Sequence, residues 1–113
     1  MQYDKNNVFY KIINKELNSN FILDEKHFIA IHDIAPRAPI HVMVIPKGCY
    51  VDYYDFITHA TDEEILDVNK GIAKIIEMMN LAQKGYRLLT NSGKSWTQEI
   101  MHLHIHIMGN VSE

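Results

Sequence analysis

Three histidines alternate with apolar residues near the end of the chain: His102-Leu103-His104-Ile105-His106-Ile107-Met108. A period of two is the signature of a strand with one buried face, so the imidazoles share one side and Leu103, Ile105 and Ile107 the other. Same-face neighbours on a strand stand roughly 6.5–7 Å apart, which sets the rings in a row. Each ring can donate, accept or titrate near neutral pH. Three kinds of chemistry fit such a row. It is a polar strand face turned to solvent; or a metal site, since alternate histidines on a strand supply two imidazole ligands; or a catalytic row in which one ring attacks phosphorus while its neighbours orient it and move protons. The last requires further residues elsewhere that hold a phosphate and a nucleoside.

The elements that must position the row follow in order. Asn7 to Leu17 is predicted as a short helix, with Val8, Phe9, Ile12 and Ile13 at helical spacing, serving either as packing or as a ligand wall. Phe21-Ile22-Leu23 and His27 to Asp33 read as strands joined by a tight connection at Asp24-Glu25-Lys26. Pro36 and Pro39 forbid a continuous central strand, His41 to Ile45 resumes one, and Pro46-Lys47-Gly48 ends it. Residues 50–60, rich in aromatics, read as a short helical or irregular link. Thr61-Asp62-Glu63-Glu64 has the form of a capping box and opens a helix to Asn80. Its stripe of Ile65, Val68, Ile72, Ile75 and Met79 belongs to a core. Tyr86 to Thr90 is a strand, and the polar loop 91–98 returns the chain to the histidines. The order helix, three strands, helix, two strands predicts an α+β domain on an antiparallel sheet.

Composition narrows the partners. A chain of 113 residues is expected to form a single domain spanning 1–113. The net charge is −3 with no basic run, which disfavours nucleic acid as a partner. Cys49 is the one cysteine, so neither an internal disulfide nor a thiolate zinc cluster is expected. Met1 to Asn7 lacks an apolar signal core, and no apolar run approaches the ~20 residues of a membrane span. A cytoplasmic location without membrane contact is the expectation.

Several blocks then fall into a known order. They are Phe9-Tyr10-Lys11-Ile12-Ile13, His32-Asp33-Ile34-Ala35-Pro36-Arg37-Ala38-Pro39-Ile40-His41, Val42-Met43-Val44-Ile45-Pro46-Lys47, Gly85-Tyr86-Arg87 through Asn91, and Gln98-Glu99 ahead of the triad. With the alternating histidines they make the chain resemble the histidine triad family, within it the Hint branch of nucleoside phosphoramidate hydrolases, from about residue 7 to 109. The resemblance implies a HIT-like fold with a five-stranded antiparallel sheet and two helices, dimerising into a ten-stranded sheet through the Thr61–Asn80 helix. It implies His104 as the nucleophile toward the α-phosphorus, His102 as the ring that orients it, His106 as the group at the phosphate and leaving group, and His41 as a fourth active-site histidine. Asp33 would accept the ribose hydroxyls, and Val8, Phe9, Ile12, Ile31, Ile34 and Met43 would form the slot for a purine base. Asn91 and the Thr97-Gln98-Glu99 segment would hold the phosphate, Thr97 and Glu99 through backbone N–H groups. No cofactor and no metal ligand is implied. The function expected is cleavage of P–N or P–O bonds in purine nucleotides through a nucleotidyl-histidine; a nucleotide-sensing module with incidental turnover and a dinucleoside polyphosphate hydrolase are the alternatives.

The departures from the family pattern carry expectations of their own. Trp96 and Thr97 stand where relatives have loop glycines, which narrows the approach to the phosphate. Glu99 replaces a serine of some relatives, and Tyr10 stands where some carry a zinc-binding cysteine, which argues against a structural zinc. The short tail after Gly109 is expected to open the leaving-group side. His27 and His59 read as surface residues, His32 as structural and Cys49 as inert.

Overall fold

The computed structural model describes residues 3–110; the expectations about the first two residues and about the tail past Asn110 lie outside that range. The sheet is built around two strands that are apolar almost throughout, β2 (Phe28–His32) and β3 (Ile40–Pro46), preceded by β1 (Phe21–Asp24). β2 and β3 pair antiparallel from Phe28↔Pro46 to His32↔Val42. Because side chains alternate, each strand feeds two cores: Phe28, Ala30, Val42 and Val44 enter one, and Ile29, Ile31, Met43 and Ile45 the other. β5 (Ile105–Gly109) lies against β3, and β4 (Arg87–Leu89) against β5. The five strands thus run in the order β1-β2-β3-β5-β4, every pairing antiparallel.

Helices cover the two faces unequally. One face carries α3 (Asp62–Met78), opened by a capping box in which the Thr61 hydroxyl accepts from Glu64 N and the Glu64 carboxylate accepts from Thr61 N. Its Val68, Ile72, Ile75 and Ile76 pack with Leu103, Ile105 and Ile107. Gly71 lets the helix ride directly on Phe28, since a Cβ there would lie 2.3 Å from the ring. The opposite face carries α1 (Val8–Ile13), which buries Phe9 and Ile12. The histidines look out on that thinly covered face.

The 50–60 link takes the helical form of the two expected, as α2 (Tyr53–His59), capped by the Asp52 side chain. The fold departs from the sequence-based expectations in three places. A single turn, α4 (Leu81–Lys84), follows α3, so among the described residues four α-helices rather than two accompany the sheet. The first helix stops at Ile13, where Asn14 caps it and Lys15 takes a positive φ of 65°. Most consequential, the histidine strand begins only at Ile105: its ladder with β3 runs from Ile40↔Gly109 to Val44↔Ile105. Further on Pro46 has no N–H to offer. Leu103 N donates instead to the Tyr50 carbonyl at 2.8 Å, and the Thr90 hydroxyl donates to the His104 carbonyl at 2.8 Å. Residues 102–104 keep the alternation of faces without the ladder. No helix among the described residues is long and apolar enough to cross a membrane.

Candidate active site

His104 takes its character from one backbone bond. Its Nδ1 lies 2.8 Å from the His102 carbonyl, which can only accept, so Nδ1 carries the proton and the neutral ring presents the Nε2 lone pair. The ring lies between Phe9, 4.8 Å away centroid to centroid, and His106, 5.1 Å away. Burial holds its pKa below the usual histidine value, against the opposing effect of the His102 bond. A ring that is neutral at pH 7 with a lone pair on Nε2 is a competent nucleophile.

His106 and His41 form a second unit. Arg37 N donates to His41 Nδ1 at 3.1 Å, so His41 must carry its proton on Nε2. That nitrogen lies 2.8 Å from His106 Nδ1 and 3.3 Å from Asp33 Oδ2. With Nδ1 accepting from His41, a neutral His106 bears its N–H on Nε2. Burial, then the neighbouring His104 and His41, push the His106 pKa down to about 4. Burial likewise lowers His41, partly opposed by the Asp33 carboxylate.

Asp33, His41 and His106 bring one ligand atom each within 4.8 Å of one another, a spacing that suits a cation. The donor set does not. The Arg37 amide occupies the His41 Nδ1 lone pair, leaving a proton on the very nitrogen that faces the cluster. To ligate there, His41 would have to give up the Arg37 amide bond or become an imidazolate.

His102 is fully buried, and its Nε2 donates to the Pro46 carbonyl at 2.7 Å. Its Nδ1 accepts from the Tyr3 hydroxyl. Burial pushes its pKa down to about 4. What orients His104 is therefore the carbonyl of His102 and not its ring, contrary to the role expected from resemblance.

The residues expected to surround the nucleotide divide into groups. Phe9, Ile12, Ile31 and Met43 pack together with Ile29 and Ile45, whereas Ile34 is 99% exposed and Val8 stands at the surface. Asp33 Oδ1 accepts from Ala35 N at 2.9 Å, which turns the chain into the proline segment. In the loop, Gln98 is buried: its Oε1 accepts from Gly93 N at 2.9 Å and its Nε2 donates to the Val51 carbonyl at 2.7 Å. Its side chain staples the loop and is not turned to a ligand. Thr97 has φ 59° and ψ 34°, the left-handed conformation that favours glycine, so this β-branched residue is strained where the resemblance places a glycine. Trp96 is 72% exposed, which sends its bulk into solvent; Glu99 is also exposed, and Asn91 half-buried. His27 and His59 bond Glu63 and Asp55, and Cys49 is exposed.

Two contributors went unnoticed in the sequence. Tyr3 lies 99 positions from His102 in a polar stretch without periodicity, so no local signal marks it. Thr90 ends a predicted strand, and nothing in its type announces a bond to the His104 carbonyl.

Comparison with known proteins places the sequence and the fold in a family. Residues 14–113 match the HIT domain family. A HIT-like protein of Rickettsia prowazekii is 48% identical over 107 residues, covering 95% of this chain and 89% of its own. The purine nucleoside phosphoramidase of Escherichia coli K12 is 31% identical over 102 residues, covering 90% of this chain and 85% of its own. Among solved structures, a HIT family hydrolase from Clostridium thermocellum superposes with a TM-score of 0.81 at 38% identity, covering 94% of this chain and 91% of its own. The chain belongs to the HIT domain family.

Proposed function

We propose that this protein hydrolyses purine nucleoside 5′-phosphoramidates at the α-phosphorus, giving a nucleoside monophosphate and an amine. The observation that carries the reading is the His104 ring, whose proton is fixed on Nδ1 and whose Nε2 lone pair is left to attack. In the first half, Nε2 forms a bond to phosphorus and the P–N bond breaks. The phosphate's negative charge favours the imidazolium form of His106; His41 then turns its Nε2–H to Asp33 Oδ2, and His106 passes its own Nε2 proton to the departing nitrogen. In the second half, water attacks the nucleotidyl-His104, His106 takes a proton back, and the P–N bond to His104 breaks. Before substrate binds, His41, held by the Arg37 amide, keeps the neutral His106 ring turned with Nε2 outward. Asp33 serves the ribose hydroxyls, and the exposed Val8 and Ile34 side chains, backed by Phe9, Ile12, Ile31 and Met43, serve the base. Asn91 and the backbone N–H groups of Thr97 and Glu99 serve the phosphate.

The reading includes assembly of the HIT domain as a two-fold dimer with a continuous ten-stranded sheet. Its support is β4, an edge strand of three residues with Leu88 exposed and Tyr86 exposed beside it. Bare edges with apolar side chains are covered or paired in stable proteins. Sedimentation at low micromolar concentration is expected to give two chains per particle; a stable monomer contradicts this part alone. The activity is tested by steady-state turnover: adenosine 5′-phosphoramidate is expected to be cleaved far better than a diadenosine polyphosphate. Equal cleavage of the two moves the protein to dinucleoside polyphosphate hydrolysis, and AMP binding without turnover of either reduces it to a nucleotide-binding module.

A further inference from the structure

The segment ahead of α1 closes a chain of hydrogen bonds onto the triad. Asn7 Oδ1 accepts from Tyr10 N at 2.9 Å and so caps α1. Its Nδ2 donates to the Tyr3 hydroxyl oxygen at 2.9 Å. The Tyr3 hydroxyl in turn donates to His102 Nδ1, which must accept because His102 Nε2 gives its proton to the Pro46 carbonyl. The His102 ring is thereby fixed at both nitrogens, with Tyr3 edge-on at 5.5 Å. Residue 102 lies outside the β5 ladder, so the direction of its carbonyl depends on these ring anchors and on the Leu103–Tyr50 bond. That carbonyl is the one that keeps the His104 proton on Nδ1. The same Asn7 amide caps the helix that brings Phe9 against the His104 ring.

We infer that Tyr3 is a positioning residue for His104, acting through the His102 carbonyl and secured by Asn7. The inference rests on His104 being the nucleophile of the proposed reaction. Burial raises the Tyr3 hydroxyl to a pKa of about 12, so it stays a donor throughout the neutral range.

Tyr3→Phe removes the donor and keeps the ring. With adenosine 5′-phosphoramidate, kcat is expected to fall about three- to tenfold, the weight of one hydrogen bond. KM and AMP affinity are expected to stay within about twofold, because the contacts to base and ribose are untouched. Nitrogen–proton correlation spectra of the ligand-free protein are expected to change from one Nδ1–H tautomer of His104 in the wild type to a mixture in the variant. An unchanged tautomer with unchanged kcat overturns the inference. So does a variant in which kcat and KM move together while the tautomer stays single, since that pattern is structural damage only. The spectra decide the matter independently of activity: a wild type that turns over no phosphoramidate removes the proposed function, and the tautomer of the variant still tests Tyr3. Asn7→Ser keeps a helix cap and loses the amide N–H groups that hold the Tyr3 hydroxyl and the Asp4 carbonyl. It is expected to give a smaller shift of the same kind, and it carries the test if Tyr3→Phe melts below the assay temperature.

Discussion

His104 and His106 stand two residues apart on one face, yet they are held by different means. His106 belongs to β5 and is paired on both sides, with Met43 in β3 and Leu89 in β4. His104 lies in the stretch before the ladder, fixed by a side-chain bond to the His102 carbonyl and a hydroxyl on its own carbonyl. The ladder gives a ring that stays in place; the stretch outside it frees backbone carbonyls to act on side chains. In a regular strand the His102 carbonyl would face a neighbouring strand and could not set the His104 tautomer. The end of the ladder at Val44↔Ile105, short of Pro46, is therefore part of the proposed chemistry.

That contrast can be broken at either end. The largest effect is expected from His104→Ala. It should lower turnover by about 10³-fold or more, as loss of a covalent nucleophile does, while AMP binding measured by calorimetry persists. His41→Ala acts on the laddered half by removing the donor to His106 Nδ1. A loss of about 10²-fold is expected with an amine leaving group, and a smaller one with a leaving group that departs without a proton.

Acid acts on both halves together. His102 and His106 have folded-state pKa values of about 4, below the histidine model value of 6.5. Between those values the unfolded chain binds more protons than the folded one, so their contribution is fully present above 6.5 and is lost as pH falls toward 4. Melting temperature is expected to drop steeply from pH 7 to pH 4.5, and His102→Gln should flatten that slope. A flat profile in the wild type would mean that the rings are not buried as neutral groups.

Two substitutions away from the histidines sharpen the comparison. Gly71→Ala forces a Cβ against Phe28 beneath the laddered half and is expected to cost about 1–3 kcal/mol in chemical denaturation, with little change in KM. Thr97→Gly, in the irregular half, relieves a left-handed β-branched residue and is expected to stabilise by about 1 kcal/mol. A destabilised Thr97→Gly would mean that the loop geometry depends on the threonine itself.

Periodicity made the laddered half legible in advance. The alternation in Leu103, Ile105 and Ile107 and the stripe of α3 placed the sheet and its covering helix, because burial repeats at fixed intervals there. What escaped the sequence depends on contacts without a period. Pro46 announces the end of β3, but not that its carbonyl accepts from a ring 56 positions later. Gln98 looks like part of a ligand loop and proves to be its internal staple, a matter of where one amide points. Thr97 carries no sign of its left-handed backbone, since that residue type disfavours it.

The central claim is that His104, set by the carbonyl of residue 102, becomes covalently nucleotidylated. Rapid acid-free quenching of the protein with adenosine 5′-phosphoramidate, followed by peptide mass spectrometry, reads this directly. The account predicts one added adenylyl group on His104 during turnover, and none in His104→Ala. Turnover with no adduct, or with the adduct on His102 or His106, would contradict it.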